Sequence, residues 1–285
     1  MSEVKKFNIK NVETGGDKLV ILAGPCALES LDLGLEIAAK MKELCAKYGF
    51  GYVFKASFDK ANRTSIKSYR GPGIKLGLLQ LADIKEKLNV PIVTDIHEAW
   101  QAEPVAEIAD LLQIPAFLCR QTDLLVAAAK TGKPMNIKKA QFMAPEDMKA
   151  VTEKCREAGN EQVMLCERGT EFGYHELAVD MRSLCVMRSF GCPVCFDATH
   201  SVQKPGGSGS SSGGDRRFVL ALIRAALAIG VDSLFMEVHP DPANAKSDGP
   251  NMIALEKMDY VLSQIKEFDT VVRKIGFAQL NWAEV

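Results

Sequence analysis

Five basic side chains along the sequence could together bind an anionic small molecule. They are Lys55, Lys60, Arg63, Lys138 and Arg168, and each ends or follows a short apolar segment. Ammonium and guanidinium groups bind phosphate and carboxylate oxygens, and arginine can do so through two parallel hydrogen bonds. If these groups meet in one cavity, the substrate must carry several negative charges. Lys139, by contrast, is interpreted as a surface charge.

A second set of side chains has the composition of a metal site. Cys26, His200, Glu237 and Asp248 combine a thiol, an imidazole and two carboxylates. This mixture suits a borderline divalent cation, with Zn²⁺, Fe²⁺ and Mn²⁺ all candidates. Their spacing matches no zinc-finger pattern, and His239 is an alternative ligand because it shares a strand face with Glu237. Cys26 taken alone would fit equally well as a small buried apolar side chain.

Both sets fall at the ends of strand-like segments. Eight runs rich in Val, Ile, Leu and Phe occupy residues 18–24, 51–57, 90–97, 111–117, 134–140, 162–169, 193–200 and 233–240. Such runs are typical of parallel strands that are buried on both faces. Helix-like segments separate them, so the sequence predicts an α/β fold of the (β/α)8 TIM barrel type. A doubly wound open sheet is the alternative.

The C-terminal strand ends of a barrel form one site, and here nearly all of them are ionisable. They carry Cys26, Lys55, Ser57, Lys60, Asp95, His97, Gln113, Lys138, Lys139, Glu167, Arg168, Asp197, His200, Glu237 and His239. Charged groups at a sheet interior are costly unless they are paired or meet a ligand. So many together predict an active site at this end of the barrel.

The connecting segments support a single barrel domain over residues 1–285. Residues 31–48 have apolar side chains at helical spacing, between a capping candidate, Ser30, and Gly49 as a stop. Residues 7–17 predict a short N-terminal β-hairpin. Further helices are predicted over residues 144–159, 215–230 and 252–268.

Composition excludes several classes of function. The chain has 35 basic and 36 acidic residues and a formal net charge of -1. This balance argues against binding to nucleic acid or to anionic membranes. No apolar run approaches the roughly 18 residues needed to span a bilayer. The N-terminal residues lack the apolar core of a signal peptide, so we expect a cytoplasmic protein with reduced cysteines.

Two local features have competing interpretations. Cys45, Cys185 and Cys195 are interpreted as core packing, and the Cys192–Cys195 pair has no predicted redox role because an apolar strand runs through it. The Gly/Ser-rich stretch at 204–214 could be a passive linker. Its position above a barrel mouth and before a helix favours a mobile lid or an anion-binding turn.

Longer motifs reveal a family resemblance. The strings YVFKASFDKANRTSIKSYRGPG, TDIHE, QIPAFLCRQTDLL, NIKKAQF, ERGTEFGY, FDATHSVQ and HPDPANAKSDGP closely resemble the 3-deoxy-D-manno-octulosonate 8-phosphate synthases. The resemblance implies a transferase for lipopolysaccharide inner-core biosynthesis. It would condense phosphoenolpyruvate with D-arabinose 5-phosphate and water, break the phosphoenolpyruvate C–O bond and release phosphate. The alternatives are a 3-deoxy-D-arabino-heptulosonate 7-phosphate synthase that uses erythrose 4-phosphate, and a non-catalytic phosphosugar sensor.

The resemblance also implies roles for individual residues. The implied phosphoenolpyruvate ligands are Lys60, Lys138 and Arg168, assisted by Lys55, Ser57 and Gln113. Asn62 would contact the sugar, and Arg63 and Thr64 would hold its phosphate, with threonine where the family has serine. The family supplies this arginine and hydroxyl from a neighbouring subunit, which implies a homo-oligomer, a tetramer. The implied catalytic residues are Lys60, Asp95, Lys138, His200 and Asp248, with both aspartates candidates to orient water or assist proton transfer.

The same resemblance addresses the metal. The family has metal-dependent members, with cysteine at the position of Cys26, and metal-independent members, with asparagine there. The chain therefore resembles the metal-dependent branch, with Cys26, His200, Glu237 and Asp248 as the implied ligands. The string KSDGP around Asp248 resembles the metal-independent branch instead. The metal would orient and polarise the sugar carbonyl or a bound water.

Overall fold

The computed structural model describes residues 4–207 and 213–280, which form a closed parallel barrel. Its strands are β1 (Val20–Gly24), β2 (Gly51–Lys55), β3 (Ile92–Asp95), β4 (Leu111–Ile114), β5 (Met135–Lys138), β6 (Val163–Glu167), β7 (Val194–Asp197) and β8 (Ser233–His239). The ring closes where β8 pairs with β1 and Glu237 lies opposite Gly24. The predicted barrel is thus confirmed, and the open sheet is excluded.

In the described residues, eight α-helices alternate with the barrel strands. They are α1 (Leu31–Tyr48), α2 (Ile74–Leu88), α3 (Ala102–Ile108), α4 (Thr122–Lys130), α5 (Met148–Glu157), α6 (Arg182–Arg188), α7 (Val219–Ile229) and α8 (Met258–Ile275). The prediction for α1 is confirmed: the Ser30 hydroxyl accepts a hydrogen bond from the Leu33 amide at 3.2 Å, and Gly49 ends the helix at φ 75°. The other three predicted helices begin later, because 3₁₀ turns at Pro145–Asp147, Arg216–Phe218 and Leu255–Lys257 precede them. The last of these turns follows a two-residue strand, Ile253–Ala254, which pairs with β8.

Alternation along the strands divides the barrel interior into two parts. The part near the N-terminal strand ends is an apolar cluster of inward side chains that includes Val53, Val93, Leu111 and Phe235. Two residues further along the same strands lie Lys55, Asp95, Gln113 and Glu237, all buried. Because side chains alternate with period two, these polar groups share the inward face. A polar chamber therefore sits on an apolar floor.

The N-terminal hairpin forms part of that floor. Its strands Phe7–Ile9 and Val12–Thr14 pair antiparallel, as predicted for residues 7–17. Phe7 and Ile9 are buried and belong to the same cluster as Val53 and Phe235. The hairpin thus closes the barrel end opposite the strand ends that carry the ionisable groups.

The cysteines are all free thiols. Cys45 and Cys195 are buried, which fits core packing, whereas Cys185 is only half-buried, so that prediction was wrong for Cys185. Cys195 lies opposite Cys166 in the strand register, and the Cys192 sulfur lies 4.0 Å from the Thr152 hydroxyl. The Cys192–Cys195 motif is therefore not a paired dithiol in this structure.

The Gly/Ser-rich stretch is described only at its two ends. Gln203–Lys204 pairs antiparallel with Gly213–Gly214, which brings those ends together. Residues 208–212 lie outside the described part of the chain, so the lid stays a prediction. Among the described helices, none is both long enough and apolar enough to cross a membrane.

Candidate active site

A cavity of about 510 Å³ opens at the C-terminal end of the barrel. Its lining includes Lys55, Lys60, Asn62, Arg63, Thr64, Asp95, Gln113, Lys138, Arg168, His200 and Asp248. The other three predicted site residues lie behind it, because Ser57 contacts Asp95, Glu237 contacts Lys55 and Cys26 contacts Asp248. All the predicted site residues therefore meet in one place.

A second cavity adjoins the first across Arg63 and Asp248. It measures about 530 Å³ and is lined by residues 214–217, 242–243 and 245–250 besides Arg63. It contains none of the barrel strand-end side chains that line the first cavity. We therefore assign the chemistry to the barrel mouth.

Two buried lysines are held by carboxylates across the chamber. The Lys55 Nζ lies 2.8 Å from Glu237 Oε1 and 2.9 Å from the Cys26 carbonyl oxygen. The Lys138 Nζ lies 2.5 Å from Asp197 Oδ2. Burial alone would lower the pKa of Lys138, but Asp197 raises it above its usual value. Both ammonium groups are thus positioned by the protein before any ligand binds.

Arg168 retains unused hydrogen-bonding capacity. Its Nη2 donates to Gln203 Oε1 at 2.8 Å, whereas its Nη1 is buried without a partner in the described chain. Burial lowers the pKa of Arg168 from its usual value. An unpaired buried guanidinium nitrogen is costly unless a ligand supplies an acceptor. Arg168 is therefore suited to an anionic ligand in the cavity.

Asp95 is a charged acceptor in the chamber wall. Its Oδ2 accepts a hydrogen bond from the Ser57 hydroxyl, and its Oδ1 accepts one from Gln113 Nε2 at 2.5 Å. Burial alone would raise the pKa of Asp95, but the cations Lys55 and Lys60 outweigh it and hold the pKa well below its usual range. Asp95 is therefore ionised at neutral pH and can accept hydrogen bonds or orient water.

His200 is oriented by Asp197, a strand-end residue for which no role was predicted. The His200 Nδ1 lies 2.7 Å from Asp197 Oδ2, and the His200 amide donates to Asp197 Oδ1 at 3.0 Å. When Nδ1 donates to this carboxylate, Nε2 presents a lone pair. That Nε2 lies 3.6 Å from Glu237 Oε1 and 3.9 Å from Asp248 Oδ2.

Three of the four predicted metal ligands form a cluster that is compatible with a divalent metal, and His200 is not a member of that cluster. Donor atoms of Cys26, Glu237 and Asp248 lie within 4.8 Å of one another. The Cys26 sulfur is 3.2 Å from Asp248 Oδ2, and Glu237 Oε2 is buried without a partner in the described chain. Burial and Glu237 raise the pKa of the Cys26 thiol well above its usual range. A thiolate there needs a cation in direct contact, which a metal would supply.

His239 does not join this cluster. Its Nδ1 accepts a hydrogen bond from the Asp241 amide at 2.9 Å, and its Nε2 lies 3.6 Å from Glu29. The structure therefore does not favour His239 as a ligand, and this alternative stays a prediction. The backbone of Asp248 is left-handed at φ 49°, and the adjoining Ser247 hydroxyl lies 3.1 Å from the Cys26 sulfur.

The loop after β2 reaches the chain's own cavity. Arg63 donates from Nη1 to the Ser247 hydroxyl at 2.7 Å and from Nη2 to the Lys246 carbonyl at 3.2 Å. Asn62 and Thr64 line the cavity beside it. Within one chain, Arg63 and Thr64 thus line the cavity of that same chain, and their supply by a neighbouring subunit stays a prediction. Ser247 was missed because nothing in the local sequence separates it from an ordinary loop serine.

Lys139 differs from its prediction as a surface charge. Only 1% of the residue is exposed, and its Nζ lies 3.3 Å from the Met143 carbonyl oxygen and 3.7 Å from Glu167 Oε2. It points away from the cavity because Lys138 and Lys139 occupy opposite faces of the same chain segment. Lys139 thus anchors the loop after β5.

Comparison with known proteins places the chain in a family. A model of the DAHP synthetase I family matches residues 3–274. A 2-dehydro-3-deoxyphosphooctonate aldolase from Fusobacterium nucleatum is 57% identical over 276 residues, covering 96% of this chain and 99% of that protein. A protein of the same name from Desulfotalea psychrophila is 58% identical, covering 91% of this chain and 92% of that protein. Another from Xanthomonas axonopodis is 55% identical, covering 94% of this chain and 97% of that protein. The chain therefore belongs to the DAHP synthetase I family.

Proposed function

We propose that the protein condenses phosphoenolpyruvate with D-arabinose 5-phosphate and water to give 3-deoxy-D-manno-octulosonate 8-phosphate and inorganic phosphate. The observation that carries this proposal is the 57% identity, over nearly the whole length of both chains, to a 2-dehydro-3-deoxyphosphooctonate aldolase. The cavity supports it, since Lys60, Lys138 and Arg168 line one cavity and could bind the carboxylate and the phosphate of phosphoenolpyruvate. In the proposed reaction the phosphoenolpyruvate C–O bond breaks and phosphate departs among these cations.

The second substrate would enter beside the loop after β2. Arg63, Asn62 and Thr64 line that side of the cavity, so the sugar phosphate would bind there. Asp95 and Asp248 face the cavity as carboxylates that can orient the attacking water or accept its proton. Lys55 serves the site indirectly, because its ammonium is already paired with Glu237.

A divalent metal, Zn²⁺, Fe²⁺ or Mn²⁺, would be held by Cys26, His200, Glu237 and Asp248. When bound, it would polarise the sugar carbonyl or a water molecule. The thiol at Cys26 supports assignment to the metal-dependent branch, because a soft sulfur ligand favours such a metal. Asp197 would orient the imidazole towards it through Nδ1.

The proposed product and the family resemblance together imply a cellular setting and an assembly. We place the enzyme in the cytoplasm, in lipopolysaccharide biosynthesis, and as a homotetramer that acts without nucleic acid or membrane. Gel filtration with light scattering tests the tetramer, since a monomer of 31.1 kDa is readily distinguished from it.

Sugar specificity tests the proposal against its alternative. The purified protein is incubated with phosphoenolpyruvate and either arabinose 5-phosphate or erythrose 4-phosphate, and released phosphate is measured. We expect phosphate release with the five-carbon sugar. Preference for erythrose 4-phosphate would support the heptulosonate alternative, and release with neither sugar would support the non-catalytic one.

A further inference from the structure

Four polar side chains form a hydrogen-bond chain across the wall of the barrel. Ser57, just beyond β2, bonds to Asp95 on β3, Asp95 accepts from Gln113 on β4, and Gln113 accepts from Asn136 on β5 at 2.9 Å. Asp95 lies opposite Gln113 in the strand register, and Gln113 lies opposite Asn136. This series of hydrogen bonds therefore runs along one layer of the barrel, from the cavity into the wall.

The charge of Asp95 determines which group donates in each of these hydrogen bonds. Lys55, Lys60, His97 and Lys138 are the charged or titratable groups that act on Asp95, and they keep it ionised. An ionised carboxylate only accepts hydrogen bonds, so Gln113 must turn its NH₂ towards Asp95. Its carbonyl oxygen then faces Asn136, which must present its own NH₂.

Asn136 is the last residue in this series of hydrogen bonds and does not line the cavity. It is fully buried, and Met164 lies opposite it on β6. Its Oδ1 is buried without a partner in the described chain, so Asn136 leaves an amide oxygen unsatisfied. An apolar side chain of similar size would avoid the cost of burying this unsatisfied oxygen. The hydrogen bond that Asn136 donates to Gln113 partly compensates for that cost.

We propose that Asn136 is a positioning residue that holds the Gln113 amide in place and, through it, the position of the Asp95 carboxylate in the active site. With both Asp95 oxygens occupied by donors, the Ser57 hydroxyl uses its hydrogen on Asp95 and can accept from the Lys60 ammonium, 3.4 Å away. The inference rests on the proposed function for its consequence in turnover, but the orientation itself does not depend on that function.

A double-mutant cycle tests the route through Gln113. Asn136→Leu removes the Asn136 NH₂ donor while keeping a similar side-chain volume. The substitution is introduced both into the wild-type protein and into the Gln113→Leu variant. We expect kcat/KM for phosphoenolpyruvate to fall about tenfold or more in the wild-type background, since a buried carbonyl loses its donor. In the Gln113→Leu background the same change should cost less than about twofold. Equal losses in both backgrounds would overturn the proposal.

A second variant gives a readout that a packing role would not move. Asn136→Asp is isosteric, and burial should raise the pKa of the new carboxyl. Its neighbours are Gln113 on β4, Met164 on β6 and, along β5, Lys138, which is already paired with Asp197. Protonated, it donates to Gln113 as asparagine does. Ionised, it confronts the Gln113 carbonyl, so activity should fall as pH rises through this pKa, and a profile that superimposes on the wild type would refute the proposal.

The unfolding of the same proteins separates this inference from the proposed function. If the wild-type enzyme releases no phosphate with arabinose 5-phosphate, the proposed function fails. The coupling between Asn136 and Gln113 is then read from the midpoints of denaturant unfolding of the four proteins in the cycle. Additive effects on the midpoint would overturn the positioning role, whether or not the protein is active.

Discussion

Replacing Asp197 by asparagine should weaken the barrel because it leaves a buried lysine without a counter-ion. Asp197 is fully buried, and its Oδ2 lies 2.5 Å from Lys138 Nζ and 2.7 Å from His200 Nδ1. Asparagine preserves the shape but removes the charge. Breaking one side of a buried ion pair typically lowers the free energy of unfolding by about 3–5 kcal/mol. We expect a loss of that size at neutral pH.

The loss should depend on pH in a defined direction. Burial alone would raise the pKa of Asp197, but His200 and Lys138 hold it well below its usual range. A carboxylate whose pKa is depressed on folding contributes stability above its unfolded pKa of about 3.9, and loses that contribution as pH falls through the folded value. The difference between wild type and Asp197→Asn should therefore be full near neutrality and shrink well below about pH 4.

Denaturant unfolding of the wild type, Asp197→Asn, Lys138→Met and the double variant measures this. The double variant should lose less than the sum of the single losses, because methionine leaves no uncompensated charge. Asp83→Asn is the control, since Asp83 and Lys87 form an exposed pair and should contribute little. Purely additive losses, or an unchanged Asp197→Asn midpoint, would refute the ion-pair account.

Three further outcomes follow from the site and its floor. Cys26→Ala should abolish metal binding, measured by metal analysis, and nearly all phosphate release. Cys26→Asn should retain some metal-free turnover. A Cys26→Ala enzyme that is active and insensitive to chelators would contradict the ligand assignment. Burial alone would raise the pKa of Glu237, but Lys55 and His200 lower it from 4.5 to about 2. About 3 kcal/mol of stability should therefore be present above roughly pH 4.5 and be lost as pH falls towards 2, and Glu237→Gln should flatten this acid dependence of the unfolding midpoint. Ile9→Ala should lower the free energy of unfolding by about 2–5 kcal/mol, because the hairpin fills the barrel floor; a loss below about 1 kcal/mol would show that the hairpin is dispensable.

The barrel could be predicted because its signals are local. Most strands are short apolar runs that end in a polar residue, and α1 has its capping serine and terminal glycine in sequence. The strand ends were slightly over-extended, as at Pro115, which lacks an amide hydrogen and begins a 3₁₀ turn after β4. The candidate residues at the strand ends followed from the same signal, because all strands of a parallel barrel end on one side. Asn62 and Thr64 instead came from the family resemblance.

The residues that were misjudged depend on contacts between distant segments. Lys139 looked like a surface lysine, yet it is buried against the Met143 carbonyl oxygen and Glu167. Ser247 gained its importance only when folding brought it between Arg63 and Cys26. The orientation of Gln113 depends on a strand register that single-strand patterns do not contain. Composition and spacing locate such side chains on an element but do not identify their partners.

The central claim is that this cavity joins phosphoenolpyruvate to arabinose 5-phosphate with loss of phosphate. Phosphoenolpyruvate labelled with ¹⁸O at the bridging oxygen tests it directly, with the sugar phosphate product and the released phosphate both analysed by mass spectrometry. C–O cleavage predicts an eight-carbon sugar acid phosphate without that label and inorganic phosphate that carries it. Label left in the carbon product, or no eight-carbon product from arabinose 5-phosphate, would contradict the account.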